Sequence, residues 1–182
     1  MAVTEMRVES TSIEGLFVIQ MKQVEDERGV VREFYRESAW SDAGLPSLGQ
    51  WLQINVTESK RGAIRGLHGE SMHKLVAIAA GEAFGAYVDS RAESPSFKQV
   101  VTTRLAPGTQ VLVPEGVCNG FQSVSDGTTQ YLYCFDHEWV PGMAGTAVNP
   151  FDPALGIEWP VEIDVNDRAL LSAKDAGLPP LG

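Results

Sequence analysis

Apolar positions in this chain fall in short runs, most of them alternating with polar ones. Residues 16–21, 30–35, 51–56, 75–80, 83–88, 99–104, 110–113, 120–124 and 129–135 each have the length of a strand and suit one in composition. Turn formers stand between them: Gly29, Gly81, Pro95, Pro107-Gly108, Pro114, Asp126-Gly127 and Pro141-Gly142. Turns about ten residues apart favour an all-β sandwich, barrel or jelly roll over alternating strands and helices. Two helical segments are predicted. Residues 37–43 read as a short helix, and Ser172 is placed to cap a final turn through Ala173-Lys174-Asp175. No repeat, linker or low-complexity tract divides the chain, so residues 1–182 are expected to form one domain.

Composition narrows the class. A chain of 182 residues with 43% hydrophobic and 21% charged positions suffices for one globular core. No apolar run approaches the roughly 18 residues of a membrane span. The N-terminal stretch alternates apolar and charged residues and lacks the basic and apolar regions of a secretory leader, so a cytoplasmic location is expected. Cys118 and Cys134 are then expected to stay reduced. A net charge of -10 argues against a nucleic-acid partner. It does not exclude an anionic small molecule, provided a few cations converge inside a pocket.

The candidate chemistry centres on Arg65-Gly66-Leu67-His68, with Lys74 close behind. Histidine takes or gives a proton near neutrality, and a nearby lysine can hold an oxyanion or a phosphate. Strand alternation raises a difficulty. Arg65 and Leu67 would share one face and Gly66 and His68 the other, so both functional side chains reach one pocket only if the chain bulges or twists at Gly66. Gln53 and Asn55 share a face, as do Tyr131 and Tyr133. Cations, amides, a histidine and tyrosines on separate strands suit the mouth of a barrel. Each residue also has a plainer explanation: His68 as a satisfied structural histidine, Tyr133 as a half-buried strand aromatic, Asp175 as an exposed residue on a helical turn.

An ordered series of motifs runs nearly end to end: Asp26-Glu27-Arg28-Gly29, Gln53-Ile54-Asn55, Arg65-Gly66-Leu67-His68, Lys74-Leu75-Val76, Val113-Pro114-Glu115-Gly116, Tyr131-Leu132-Tyr133, Asp152-Pro153-Ala154-Leu155-Gly156-Ile157-Glu158-Trp159-Pro160 and Leu171-Ser172-Ala173-Lys174-Asp175. In these the chain resembles the dTDP-4-dehydrorhamnose 3,5-epimerases, nucleotide-sugar epimerases of the cupin jelly-roll superfamily. The resemblance implies cofactor-independent epimerisation at C3, C5 or both of a nucleotide-activated 4-keto-6-deoxy sugar. It makes His68 the base, Asp175 the carboxylate that orients it, Tyr133 the acid on the other face of the ring, and Lys74 the cation near the C4 oxygen. Arg28, Glu33, Gln53, Asn55, Arg65 and Lys174 match positions that contact the nucleotide diphosphate, partly across a homodimer interface formed by an exchanged N-terminal strand.

Departures from the family pattern bear on the substrate. Only residues 69–73 separate His68 from Lys74, where relatives have a longer insert. Asn119 stands where the family has a histidine and is expected to contact the substrate; an acidic residue is missing near Met143-Ala144-Gly145, and Asn149-Pro150-Phe151-Asp152 replaces the usual segment. Two other readings stay open: a metal-dependent cupin using His68, Glu70 and His73, and a non-catalytic sugar-nucleotide-binding protein. The metal reading lacks the HxH pair and later histidine such sites require.

Overall fold

The computed structural model describes residues 1–47 and 51–182. Its strands, in chain order, begin with β1 (Ala2–Thr4), β2 (Arg7–Ser10), β3 (Phe17–Gln20), β4 (Lys22–Asp26) and β5 (Gly29–Glu33). After helix α1 (Glu37–Asp42) come β6 (Gln53–Lys60), β7 (Ile64–Glu70), β8 (Lys74–Ala80), β9 (Ala83–Asp89) and β10 (Val100–Leu105). The last strands are β11 (Thr109–Val113), β12 (Val117–Ser123), β13 (Thr128–Phe135) and β14 (Gly145–Ala147), followed by the short helix α2 (Ala173–Ala176). One sheet has the order β10-β9-β12-β7-β14, a second β2-β3-β11-β8-β13-β6, and a small third sheet β1-β4-β5. Every pairing between strands is antiparallel. The expected jelly roll is present.

Period-two alternation explains the layers. Val76 and Ile78 of β8, Val111 and Val113 of β11, Tyr87 of β9, Phe121 of β12 and Tyr131 of β13 meet between the two large sheets. Their neighbours point the other way. Leu75, Leu112 and Cys134 pack beneath Trp40 of α1, and Leu67, Ala86, Val88 and Cys118 pack beneath Val148 and Leu155 of the C-terminal segment. Both faces of β8 and β9 are therefore covered, which is why these strands read as nearly continuous apolar runs rather than strict alternation.

The sequence reading missed β1, β2, β4 and β14 as strands. β1 is a three-residue exposed strand, and β2 and β4 carry charged residues with no fully buried position, so none has a buried face to leave a pattern. β14 is three residues long and pairs only with β7. The expected 30–35 strand ends at Glu33, because Phe34 and Tyr35 turn to pack around Trp40. Ser172 caps α2 as anticipated, its hydroxyl accepting from Asp175 N at 3.0 Å.

Candidate active site

Gly66 resolves the parity difficulty. Arg65 lies opposite Phe121 of β12 and His68 opposite Asn119, so Gly66 and Leu67 face the single residue Gly120. Two residues against one is a β-bulge, and it returns Arg65 and His68 to the same face. Only glycine fits here. Gly66 has φ +124°, and a Cβ on it would sit 2.6 Å from the Gly120 Cα. Gly120 is equally constrained, since its own Cβ would lie 2.6 Å from the Arg65 carbonyl oxygen.

The bulged strand opens onto a cavity that Arg65, His68, Glu70, Lys74, Asn119 and Tyr133 share. An adjoining hollow is bounded by Arg65, His68, Tyr133, Lys174 and Asp175. Asp175 comes to His68 because the C-terminal segment is stitched to β7: Ile64 pairs in parallel with Leu171, and Ile64 N donates to the Leu170 carbonyl at 2.8 Å. The His68 Nε2 is 2.9 Å from Asp175 Oδ1. The other carboxylate oxygen accepts from Gly66 N at 3.5 Å. Burial opposes ionisation of Asp175, but the bond from His68, its charge and the Gly66 and Ser172 contacts prevail, holding the carboxyl below its usual range. An ionised carboxylate only accepts, so Nε2 carries the proton and Nδ1 is the basic nitrogen of neutral His68.

Lys74 is nearly buried, its side chain 6% exposed. All three of its N–H donors are engaged: by the His68 carbonyl at 3.1 Å, by Asn119 Oδ1 at 2.7 Å and by the Glu70 carboxylate. Tyr133 lines both hollows, and its hydroxyl lies 2.8 Å from Thr57 Oγ1. Phe121, Tyr131, Tyr133 and Phe135 form a ladder of ring contacts that gives the cavity an apolar wall. Arg65 is steadied by its Nε donating to Ser59 Oγ at 3.0 Å.

The inner face of β6 supplies the supports. Gln53, Asn55, Thr57 and Ser59 alternate inward while Ile54, Val56 and Glu58 face out. Asn55 stands opposite Tyr133 in the β6–β13 register, and Gln53 Oε1 accepts from Trp139 N at 2.8 Å. Sequence reasoning named Gln53 and Asn55 and overlooked Thr57 and Ser59, although the same alternation continues through them. It weighed Glu70 only as a metal ligand. Four named residues line neither hollow: Gln53 and Asn55 on β6, Arg28 in the turn between β4 and β5, where it pairs with Asp26, and Glu33 at the end of β5, paired with Arg36.

The geometry also bears on the two other readings. A metal site of His68, Glu70 and His73 requires convergence, but the His73 ring turns to Asp136, with Nδ1 at 3.0 Å from Oδ2. Among the described residues no group of three His, Cys, Asp or Glu is placed to hold a metal ion. The non-catalytic reading needs Tyr133 directed away from His68, whereas both bound the same cavity. No helix among the described residues is long and apolar enough to cross a membrane.

Comparison with known proteins places the chain in a family. Residues 10–182 match the model of a family described as dTDP-4-dehydrorhamnose 3,5-epimerase. The chain is 35% identical to the dTDP-4-dehydrorhamnose 3,5-epimerase of Salmonella typhimurium, over 96% of this chain and 94% of that one. Among solved structures it resembles NovW, a 4-keto-6-deoxy sugar epimerase from Streptomyces spheroides, with TM-score 0.87, 31% identity and coverage of 98% and 88%. It also resembles RmlC of Legionella pneumophila in complex with dTDP-4-keto-L-rhamnose, with TM-score 0.85, 32% identity and coverage of 97% and 93%.

Proposed function

The chain belongs to the dTDP-4-dehydrorhamnose 3,5-epimerase family and is an isomerase, and from that premise we propose that it inverts C3, C5 or both of a dTDP-linked 4-keto-6-deoxy sugar. One observation carries the proposal: a carboxylate-held histidine, a hydroxyl on a separate strand and a buried lysine bound a single cavity.

The reaction follows from those groups. The 4-keto group acidifies the protons on C3 and C5, yet they remain far weaker acids than imidazolium. Neutral His68 removes one, while the enolate oxygen that develops is held by Lys74. A fixed donor of this kind is typically worth about 3–4 kcal/mol of barrier. Asp175 keeps the His68 proton on Nε2 and stabilises the imidazolium that forms. Inversion demands that the proton return from the opposite face, so the acid must differ from the base. Tyr133 fills that role, with Thr57 orienting its hydroxyl. Arg65 and Lys174 flank the entrance and suit the diphosphate, arginine through paired donors. Asn119 acts through Lys74, and Gln53 and Asn55 extend the polar wall toward the nucleotide.

A second copy of this chain completes the site in this reading. Ile54 and Val56 are 57% and 61% exposed on the outer face of edge strand β6, and Val31 of the third sheet is 73% exposed. Burying these faces in a homodimer would carry Arg28 and Glu33 toward the partner's cavity. Incubation in D2O with dTDP-4-keto-6-deoxyglucose tests the reaction: deuterium is expected at C3, C5 or both, and no exchange on any 4-keto nucleotide sugar would overturn it. Light scattering is expected to return twice the 19.7 kDa chain mass.

A further inference from the structure

We propose that Glu70 reads the hydroxyl next to the reacting ketone, making the enzyme selective for 4-keto sugars with a free hydroxyl at C3. The proposal rests on the epimerase reading of the cavity and adds to it a residue with a specificity role.

Glu70 closes β7, with its carboxylate turned into the cavity that His68, Lys74 and Asn119 also line. Its side chain is 24% exposed. Burial works against its charge, but the Lys74 ammonium outweighs that and keeps the carboxyl below the ordinary range, so it is ionised at neutral pH. An α-hydroxy ketone presents an acceptor and a donor on adjacent carbons. Lys74 and Glu70 present a donor and an acceptor side by side. The two pairs are complementary.

Saturation of Lys74 sharpens the match. No N–H is spare, so a ketone oxygen reaches the ammonium only by replacing the His68 carbonyl, Asn119 or Glu70. The carbonyl is fixed in the β7 backbone. Displacing Glu70 strands a largely buried carboxylate, which is costly unless a new donor arrives with the substrate. A C3 hydroxyl is such a donor. On the other side of the ketone, C5 of a 6-deoxy sugar carries a methyl group and the ring oxygen, neither of which donates. The exchange conserves hydrogen bonds only when C3 faces Glu70, so the residue also fixes which way round the ring lies.

The plainer role for Glu70 is a counter-charge that merely positions Lys74, and substrate selectivity separates the two. Deuterium exchange at whichever ring carbon the parent substrate exchanges is followed for dTDP-4-keto-6-deoxyglucose and its 3-deoxy analogue. For the wild type, kcat/KM is expected to fall about ten- to a hundredfold on losing the hydroxyl, the range for a hydrogen bond to a charged group. Glu70→Ala is expected to lose activity on the parent alone, bringing the ratio near one. Glu70→Gln, which keeps an acceptor and the shape, should give an intermediate ratio, and thermal melts establish that both variants fold. Equal losses on both substrates, or a wild type indifferent to the hydroxyl, would overturn the proposal. A wild type inert on both sugars would sink the epimerase reading, and this inference with it.

Discussion

Two histidine–carboxylate pairs lie close together in sequence, one on β7 and one on the turn that leads from it to β8 in the other large sheet, and only one has the surroundings of a catalytic base. His68 and Asp175 are 2.9 Å apart, and His73 and Asp136 are 3.0 Å apart, so pair geometry does not distinguish them. Their neighbourhoods do. His68 is 26% exposed and shares a cavity with Tyr133 and Lys74. His73 is 39% exposed, and its Asp136 is shared with His137, itself 63% exposed. Asp136 serves as a clasp for two surface histidines after β13. A general base needs an acid opposite and a stabiliser for the charge it creates, and only the first pair shares its cavity with candidates for both, Tyr133 and Lys74.

The largest expected effect breaks the symmetry of the comparison. His68→Ala should abolish exchange at every ring carbon, with a loss of at least about 10²–10⁴-fold, the usual contribution of a positioned base. His73→Ala should leave kcat within about twofold, since surface substitutions away from such features are nearly neutral. Comparable losses in the two variants would refute the assignment.

The carboxylates give a smaller, pH-dependent contrast. Asp175 and Asp136 are both held below their ordinary range, with burial opposing and the histidine contacts prevailing. A depressed folded-state pKa contributes stability that is complete above the unfolded value of about 3.9 and is lost as pH falls through the folded pKa. Chemical denaturation at pH 7 should therefore show the full contribution of each, with losses appearing only in acid. Asp175→Asn and Asp136→Asn should both flatten that acid limb. Only Asp175→Asn should also reduce turnover, because it alone acts on the base's tautomer.

Much of this was legible in the chain. Alternation at period two located most strands of both large sheets, though not β2 or β14, and the impossible parity of Arg65 and His68 pointed to a bulge at Gly66. What alternation cannot supply is register. That Gly66 and Leu67 together face Gly120 is a property of two strands distant in sequence, and so is the meeting of Thr57 with Tyr133. Glu70 reads from sequence only as a possible metal ligand, because its place beside Lys74 depends on Lys74 and Asn119 folding around it. Arg28, in the turn between β4 and β5, and Glu33 of β5 form ion pairs with Asp26 and Arg36 away from the cavity of their own chain, and no alternation in one chain could show what they face.

Tyr133→Phe in D2O tests the central claim most directly, that base and acid stand on opposite faces of the sugar. With His68 intact, the variant should still wash deuterium into the substrate with retained configuration, while formation of the inverted product falls steeply. Parallel loss of exchange and inversion would show that Tyr133 is not a separate acid, and would contradict the account.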